Sequence, residues 1–190
     1  LDRDVVVRWR VAAPTVGTSI DVSNTGHALL TLVPPAANAK KNAVPRDLIV
    51  LLDTSGSMGG APLDQARRVT AALVDSLGDA DQLELIEFSN TARRWKRGAV
   101  NATSANRRDA QSWLARLSAS GGTEMRTGIL EALTPLRAES QRQVVLITDG
   151  QIGFEHEILS TIIERLPRGC RVHTVGVGSG VNRSLLKPAA

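Results

Sequence analysis

The stretch Asp47–Ser57, DLIVLLDTSGS, is a run of aliphatic residues that stops at an aspartate and gives way to small hydroxyl residues. Leu48 to Leu52 shows no polar alternation. That is the pattern of a strand covered on both faces, and such strands belong to parallel sheets with helices packed above and below. Gln143–Thr148, QVVLIT, has the same character and runs directly into Asp149-Gly150. Between them, Leu63, Ala66, Val69, Leu73 and Leu77 recur at helical spacing over 62–77, with Pro62 suited to the first turn.

Working outward, Gln82–Phe88 (QLELIEF) reads as a strand and Ala92–Val100 as a second, charged strand close enough to form a hairpin with it. Residues 105–118 and 125–138 read as helices, the first with Trp113, Leu114 and Leu117 on one face; 156–166 is a further helix and Arg171–Val177 the last strand. Alternating strands and helices predict a doubly wound α/β domain built on a mostly parallel sheet. Such sheets bind ligands beyond the carboxyl ends of their strands, where the strand order reverses. The region before residue 36 differs. Asp4–Val11, Thr18–Val22 and Ala28–Val33, separated by Pro14, Gly17 and Asn24-Thr25-Gly26, predict two or three antiparallel strands, and Pro34–Pro45 is a polar, proline-bounded linker.

The composition suits a globular chain: 42% of the 190 residues are hydrophobic and 22% charged, which argues against disorder, and the single Cys170 rules out an intrachain disulfide. Cys170 is expected to be a small buried residue. The longest apolar runs have strand length and fall far short of a membrane span. A start at Leu1 without a signal-peptide pattern reads as that of a fragment, so compartment is not read from it. The net charge of +4 is carried by arginine, since Lys40, Lys41, Lys96 and Lys187 are the lysines. Arg93, Arg94, Lys96 and Arg97 cluster around Trp95. A polyanion could use that cluster, but a charged, solvated edge strand accounts for it more simply, and no nucleic-acid partner is expected.

Three segments bring chemistry to the carboxyl edge: Asp53-Thr54-Ser55-Gly56-Ser57, Gly121-Gly122-Thr123 and Asp149-Gly150. Each alone is an ordinary cap or turn. Together they offer two carboxylates and three hydroxyls, hard oxygen donors with no His or Cys among them, which suit Mg²⁺ and, less well, Mn²⁺ or Ca²⁺. An ion held largely by neutral hydroxyls keeps its positive charge and seeks an anionic ligand from outside.

The residues Asp53-x-Ser55-x-Ser57, Thr123 and Asp149-Gly150 resemble the complete metal-ion-dependent adhesion site of von Willebrand factor type A domains, as in integrin inserted domains, and the resemblance covers about 46–187. It implies that Ser55, Ser57 and Thr123 coordinate the metal, that Asp53 and Asp149 act largely through bound waters, and that a partner's Asp or Glu completes the octahedron. It further implies strand order 3-2-1-4-5-6, with the strand ending at Asp53 beside the one ending at Asp149. Met58, Glu124, Arg93 and Arg94 are then the candidates to face the partner. The segments Leu1–Val11, Gly26–Pro35 and Pro45–Leu63 are similar to proteins in which a VIT domain precedes the type A domain, such as the inter-alpha-trypsin inhibitor heavy chains. On that resemblance 1–35 is the end of a VIT domain, 36–45 a linker and 46–190 the type A domain. Its last helix, beginning near Asn182 and containing Pro188, is expected to be truncated, which puts metal-to-helix coupling of the integrin kind in doubt. An extracellular or cell-envelope location is implied.

The competing class is a metal-dependent phosphoester hydrolase, since Mg²⁺ at a strand-terminal Asp also suits phosphoryl chemistry. Ser55 stands where a second Asp would act as acid, and His27, His156 and His173 fall outside the metal loops, His173 reading as core or face filler. No catalytic residue is therefore assigned, and a binding module rather than an enzyme is expected.

Overall fold

A computed structural model describes residues 15–34, 44–134 and 140–190. The strand expected at 4–11, most of the expected linker and the end of the helix expected at 125–138 lie outside the described residues. The chain divides into two units, Leu1–Ala43 and Val44–Ala190.

In the first unit, β1 (Gly17–Val22) and β2 (Ala28–Val33) form an antiparallel hairpin, turning at Gly26 with φ 83°. The pairs Thr18–Leu32, Ile20–Leu30 and Val22–Ala28 share one face, so the hairpin is apolar on one side, and Ile20, Val22, Leu30 and Leu32 are exposed.

The second unit contains β3 (Arg46–Asp53), α1 (Ala61–Asp75), β4 (Gln82–Phe88), β5 (Ala92–Arg94), β6 (Val100–Asn101), α2 (Ser104–Ala115), α3 (Met125–Ala132), β7 (Gln141–Thr148), α4 (Glu155–Arg165), β8 (Cys170–Gly176) and α5 (Arg183–Ala189). The sheet order is β5-β4-β3-β7-β8, with β6 also paired to β4. Strands β4, β3, β7 and β8 are parallel, and β5 and β6 run antiparallel to β4. The fold is thus α/β with a mostly parallel sheet. Alternation along β3 builds both cores: Leu48, Val50 and Leu52 pack with Leu63, Ala66, Val74 and Leu114 on one face, and Ile49 and Leu51 with Met125, Ile129, Ile158 and Leu185 on the other. Gly128 lets α3 lie close to the sheet, since a Cβ there would stand 3.0 Å from Leu51 and 3.1 Å from Phe88.

Four expectations need correction. The segment 92–100 is not one strand. It pairs with β4 at both ends and bends away between them, where Lys96 meets Asp109 of α2 at 2.6 Å. The order 3-2-1-4-5 is present, but among the described residues no sixth strand follows; the chain after β8 forms α5, capped by the Asn182 side chain, which accepts from Leu185 N. His173 is exposed on the outer strand β8 rather than packed as filler, and Cys170, at the head of β8, is half-buried, its thiol pKa pushed up by burial.

Candidate metal site

The adjacency of β3 and β7 is what brings the two aspartates together. β3 delivers Asp53 and β7 delivers Asp149 to the same edge, and both carboxylates are shielded from solvent. After Asp53 the backbone is held by neighbours on two sides: Thr54 N donates to Phe88 O (2.9 Å), Ser120 N to Thr54 O (2.8 Å) and Gly56 N to Gly121 O (3.0 Å). The first ties the Asp53–Ser57 loop to the end of β4, and the other two join it to the loop around Gly121. A short 3₁₀ turn, Gly56–Met58, then leads toward α1.

Asp53 Oδ1 accepts from Ser55 N at 2.8 Å and Oδ2 from the Thr148 hydroxyl at 2.5 Å. Thr148 Oγ1 in turn accepts from Gly150 N at 2.8 Å, so one hydroxyl ties both aspartate loops together. Asp149 Oδ1 accepts from Gln151 N at 3.0 Å. The hydroxyls of Ser55 and Ser57 lie 3.2 Å apart, Ser55 buried and Ser57 exposed. Thr123 is half-buried in the loop before α3.

The electrostatics of the edge are one-sided. Burial raises the Asp53 pKa above the ordinary aspartate value, hydrogen bonds from Ser55 and Thr148 oppose this, and the nearby Asp149 carboxylate adds to the rise. Among the described residues neither Asp53 nor Asp149 has an ion-pair partner. Two adjacent shielded carboxylates without a cation are costly unless one arrives. The donor set suits a hard ion: adjacent ligands of an octahedral Mg²⁺ stand about 3 Å apart given its metal–oxygen distance, close to the Ser55–Ser57 separation of 3.2 Å. Among the described residues no three His, Cys, Asp or Glu side chains are grouped to hold a metal.

Residues 46–190 match the family model described as von Willebrand factor type A domain. The chain belongs to that family. Human inter-alpha-trypsin inhibitor heavy chain H4 is 30% identical over 203 aligned residues, taking in 100% of this chain and 21% of that protein. The chain thus spans about a fifth of the length of the curated relatives it matches. Among solved structures, a von Willebrand factor type A protein from Catenulispora acidiphila aligns with TM-score 0.71 and 19% identity over 98% of this chain and 46% of that one. Manganese-loaded TRAP protein of Plasmodium vivax aligns with TM-score 0.66 and 23% identity over 77% of this chain and 62% of that one. At these identities the two structures speak for the fold. Type A domains are adhesion or protein-binding modules, and among the described residues no helix of this one is long and apolar enough to cross a membrane.

The expected partner-facing residues divide. Met58 is fully buried in the core beneath α1, because the 3₁₀ turn rolls its side chain inward, and it is withdrawn as a contact residue. Glu124 is exposed at the head of α3. Arg93 pairs with Glu87 at 2.5 Å, and Arg94 bridges the buried Glu84 and Glu131, the latter at 2.6 Å. With Lys96 on Asp109, most of the basic cluster is neutralised within the fold. Sequence reasoning missed Thr148, although a hydroxyl residue just before Asp149 was visible. It also missed Glu87, Asn90 and Asn182, whose relation to the edge shows only in three dimensions. Asn182 N donates to Asp149 O at 2.9 Å, and its amide group donates to Gly150 O at 3.0 Å. A cleft of about 450 Å³ opens from Thr123 along α3, lined by Arg126, Ile152, Phe154 and Glu157, with Phe154 largely exposed.

Proposed function

We propose that the type A domain binds a protein partner through a divalent cation, Mg²⁺ in the first place and Mn²⁺ or Ca²⁺ as substitutes. Ser55, Ser57 and Thr123 hold the ion through their hydroxyls, and Asp53 and Asp149 hold it largely through water. When bound, the ion supplies a positive centre that an Asp or Glu carboxylate of the partner can ligate. The protein groups divide the work. Asp53 keeps the Ser55 amide and the Thr148 hydroxyl aligned, Gly150 frees the turn after Asp149 at φ 75°, and the cleft beside Thr123 leaves room for the residues flanking the partner's carboxylate. We further read 1–35 as the end of a VIT domain and 36–45 as a linker, in line with similarity to a heavy chain that extends over the whole chain.

The observation that carries this reading is the pair of shielded carboxylates, Asp53 and Asp149, ending adjacent parallel strands beside the serine hydroxyls with no cation of the described fold to meet them. Calorimetric titration of Mg²⁺ into the wild type and Asp53→Ala tests the metal, and equal affinity in both overturns it. Capture of a partner that EDTA releases, and that Asp53→Ala fails to capture, tests the binding mode.

A further inference from the structure

The carboxyl-terminal end of β4 and the turn after it contribute none of the five proposed ligands, yet both loops that carry hydroxyl ligands hang from it. Thr54, set between Asp53 and Ser55, donates its hydroxyl to Glu87 Oε2 at 2.5 Å and its amide to Phe88 O at 2.9 Å. Glu124, next to Thr123, donates its amide to Ser89 O at 2.6 Å. Gly122, on the other side of Thr123, donates its amide to the Asn90 side-chain oxygen at 2.6 Å. Thr123 is therefore bracketed by two bonds to consecutive residues of one turn. Glu87 is itself held in place, its other oxygen accepting from Arg93 at 2.5 Å, with the Arg93 guanidinium 5.9 Å from the centre of the Trp113 ring of α2.

The steric fit is as close as the hydrogen bonding. A Cβ on Gly121 would stand 2.7 Å from Asn90 Nδ2 and one on Gly122 3.0 Å from Asn90 Oδ1. Gly121 has φ 79°, so its backbone favours glycine in any case. Gly122 has no such backbone demand, and the atom that a Cβ there would crowd is the Asn90 side-chain oxygen.

We infer that Asn90 is a positioning residue for the metal site: its side chain seats the Gly121-Gly122 backbone so that the Thr123 hydroxyl is presented to the ion, while Glu87 does the same for the Asp53–Ser57 loop through Thr54. This rests on the metal reading above. Partners that orient a metal's ligands without touching it commonly govern affinity by 10- to 100-fold.

The test uses the full chain and two readouts. Calorimetry with Mg²⁺ and with Mn²⁺ is expected to show affinity at least about tenfold weaker in Asn90→Ala and no such loss in Asn90→Asp, which keeps an acceptor for Gly122 N–H. Gly122→Ala, which crowds the Asn90 oxygen, is expected to weaken ion binding in the wild type and to add little in Asn90→Ala, where that contact is gone. A merely structural role would lower stability without this coupling. Amide hydrogen exchange of the metal-free protein is expected to show Gly122 protected in the wild type and exposed in Asn90→Ala. Affinity unchanged in Asn90→Ala, or Gly122 exchange unchanged, overturns the inference. If the wild type takes up neither ion, the metal reading falls, and the Gly122 exchange result still decides whether Asn90 seats the loop.

Discussion

Strand β3 begins at Arg46 and ends at Asp53; Asp81, just before the neighbouring β4, is shielded beside its start, and Asp53 is shielded at its end. At the start, Asp81 accepts hydrogen bonds from Arg46 N at 2.8 Å, Gly78 N at 2.9 Å and the Arg46 guanidinium at 2.9 Å. Burial raises its pKa, but these bonds and the arginine's charge outweigh burial, and Asp81 is held below the ordinary aspartate value. At the other end burial prevails and Asp53 is held above it, its hydrogen bonds only partly compensating and Asp149 adding repulsion. Glu84, buried in the middle of the neighbouring strand β4, likewise has a cation of the fold beside it, Arg94. Where the fold supplies the countercharge, the carboxylate is part of the architecture. Where it does not, as at the carboxyl edge where parallel sheets of this kind place their ligands, the proposed cation would supply the countercharge from outside.

The largest effect should follow from turning a compensated site into an uncompensated one. Arg94→Ala leaves Glu84 buried without its cation and is expected to destabilise the fold by about 3 kcal/mol or more, read as a fall in the urea midpoint. Next, Asp53→Asn keeps the shape of the carboxylate and removes its charge. Mg²⁺ affinity should fall at least about a hundredfold, ~2.8 kcal/mol, while the thermal midpoint of the metal-free protein stays level or rises, since an unmet buried charge has been removed. A fall in that midpoint would mean that the two ends of β3 do not differ in kind.

Asp81→Ala should do the converse, costing about 1–2 kcal/mol of stability with Mg²⁺ affinity in calorimetry essentially that of the wild type. The smallest effect is its pH dependence. Because the folded-state pKa of Asp81 is depressed, its contribution is fully present above its unfolded value of about 3.9 and is lost as pH falls from there through the folded value. The stability difference between wild type and Asp81→Asn should therefore be constant above about pH 5 and shrink below about pH 4. Denaturant midpoints across that range check it, and a difference that grows on acidification would reverse the assignment.

How much could be read in advance depended on how local the cause was. The aliphatic runs of β3 and β7, the helical spacing in α1 and the aspartate and small-hydroxyl segments at the strand ends were legible because each is a property of a few consecutive residues. The bend inside 92–100 was not, since nothing in those residues alone shows that the chain leaves β4 after Trp95 and returns to it at Val100. Nor was the burial of Met58, which follows from a 3₁₀ turn rather than from its hydropathy. Of the basic cluster read as a charged edge strand, Arg93 and Arg94 lie on β5 while Lys96 and Arg97 lie on the bend after it, and the pairing of the two arginines with Glu87, Glu84 and Glu131 needed the fold.

The chain order alone specified an alternating strand–helix domain and placed aspartates and small hydroxyl residues where strands of such a sheet end, because side-chain periodicity and strand termini are written in neighbouring residues. Tertiary structure decided which charges are cancelled and which are left open. Arg46 finds Asp81 across 35 residues, Arg94 finds Glu131 across 37, and Thr148 finds Asp53 across 95. Electrostatic energy depends on separation in space and on burial, neither of which is set by separation along the chain. Asn90 illustrates the same limit: an asparagine in a turn until the fold lays Gly121 and Gly122 against it.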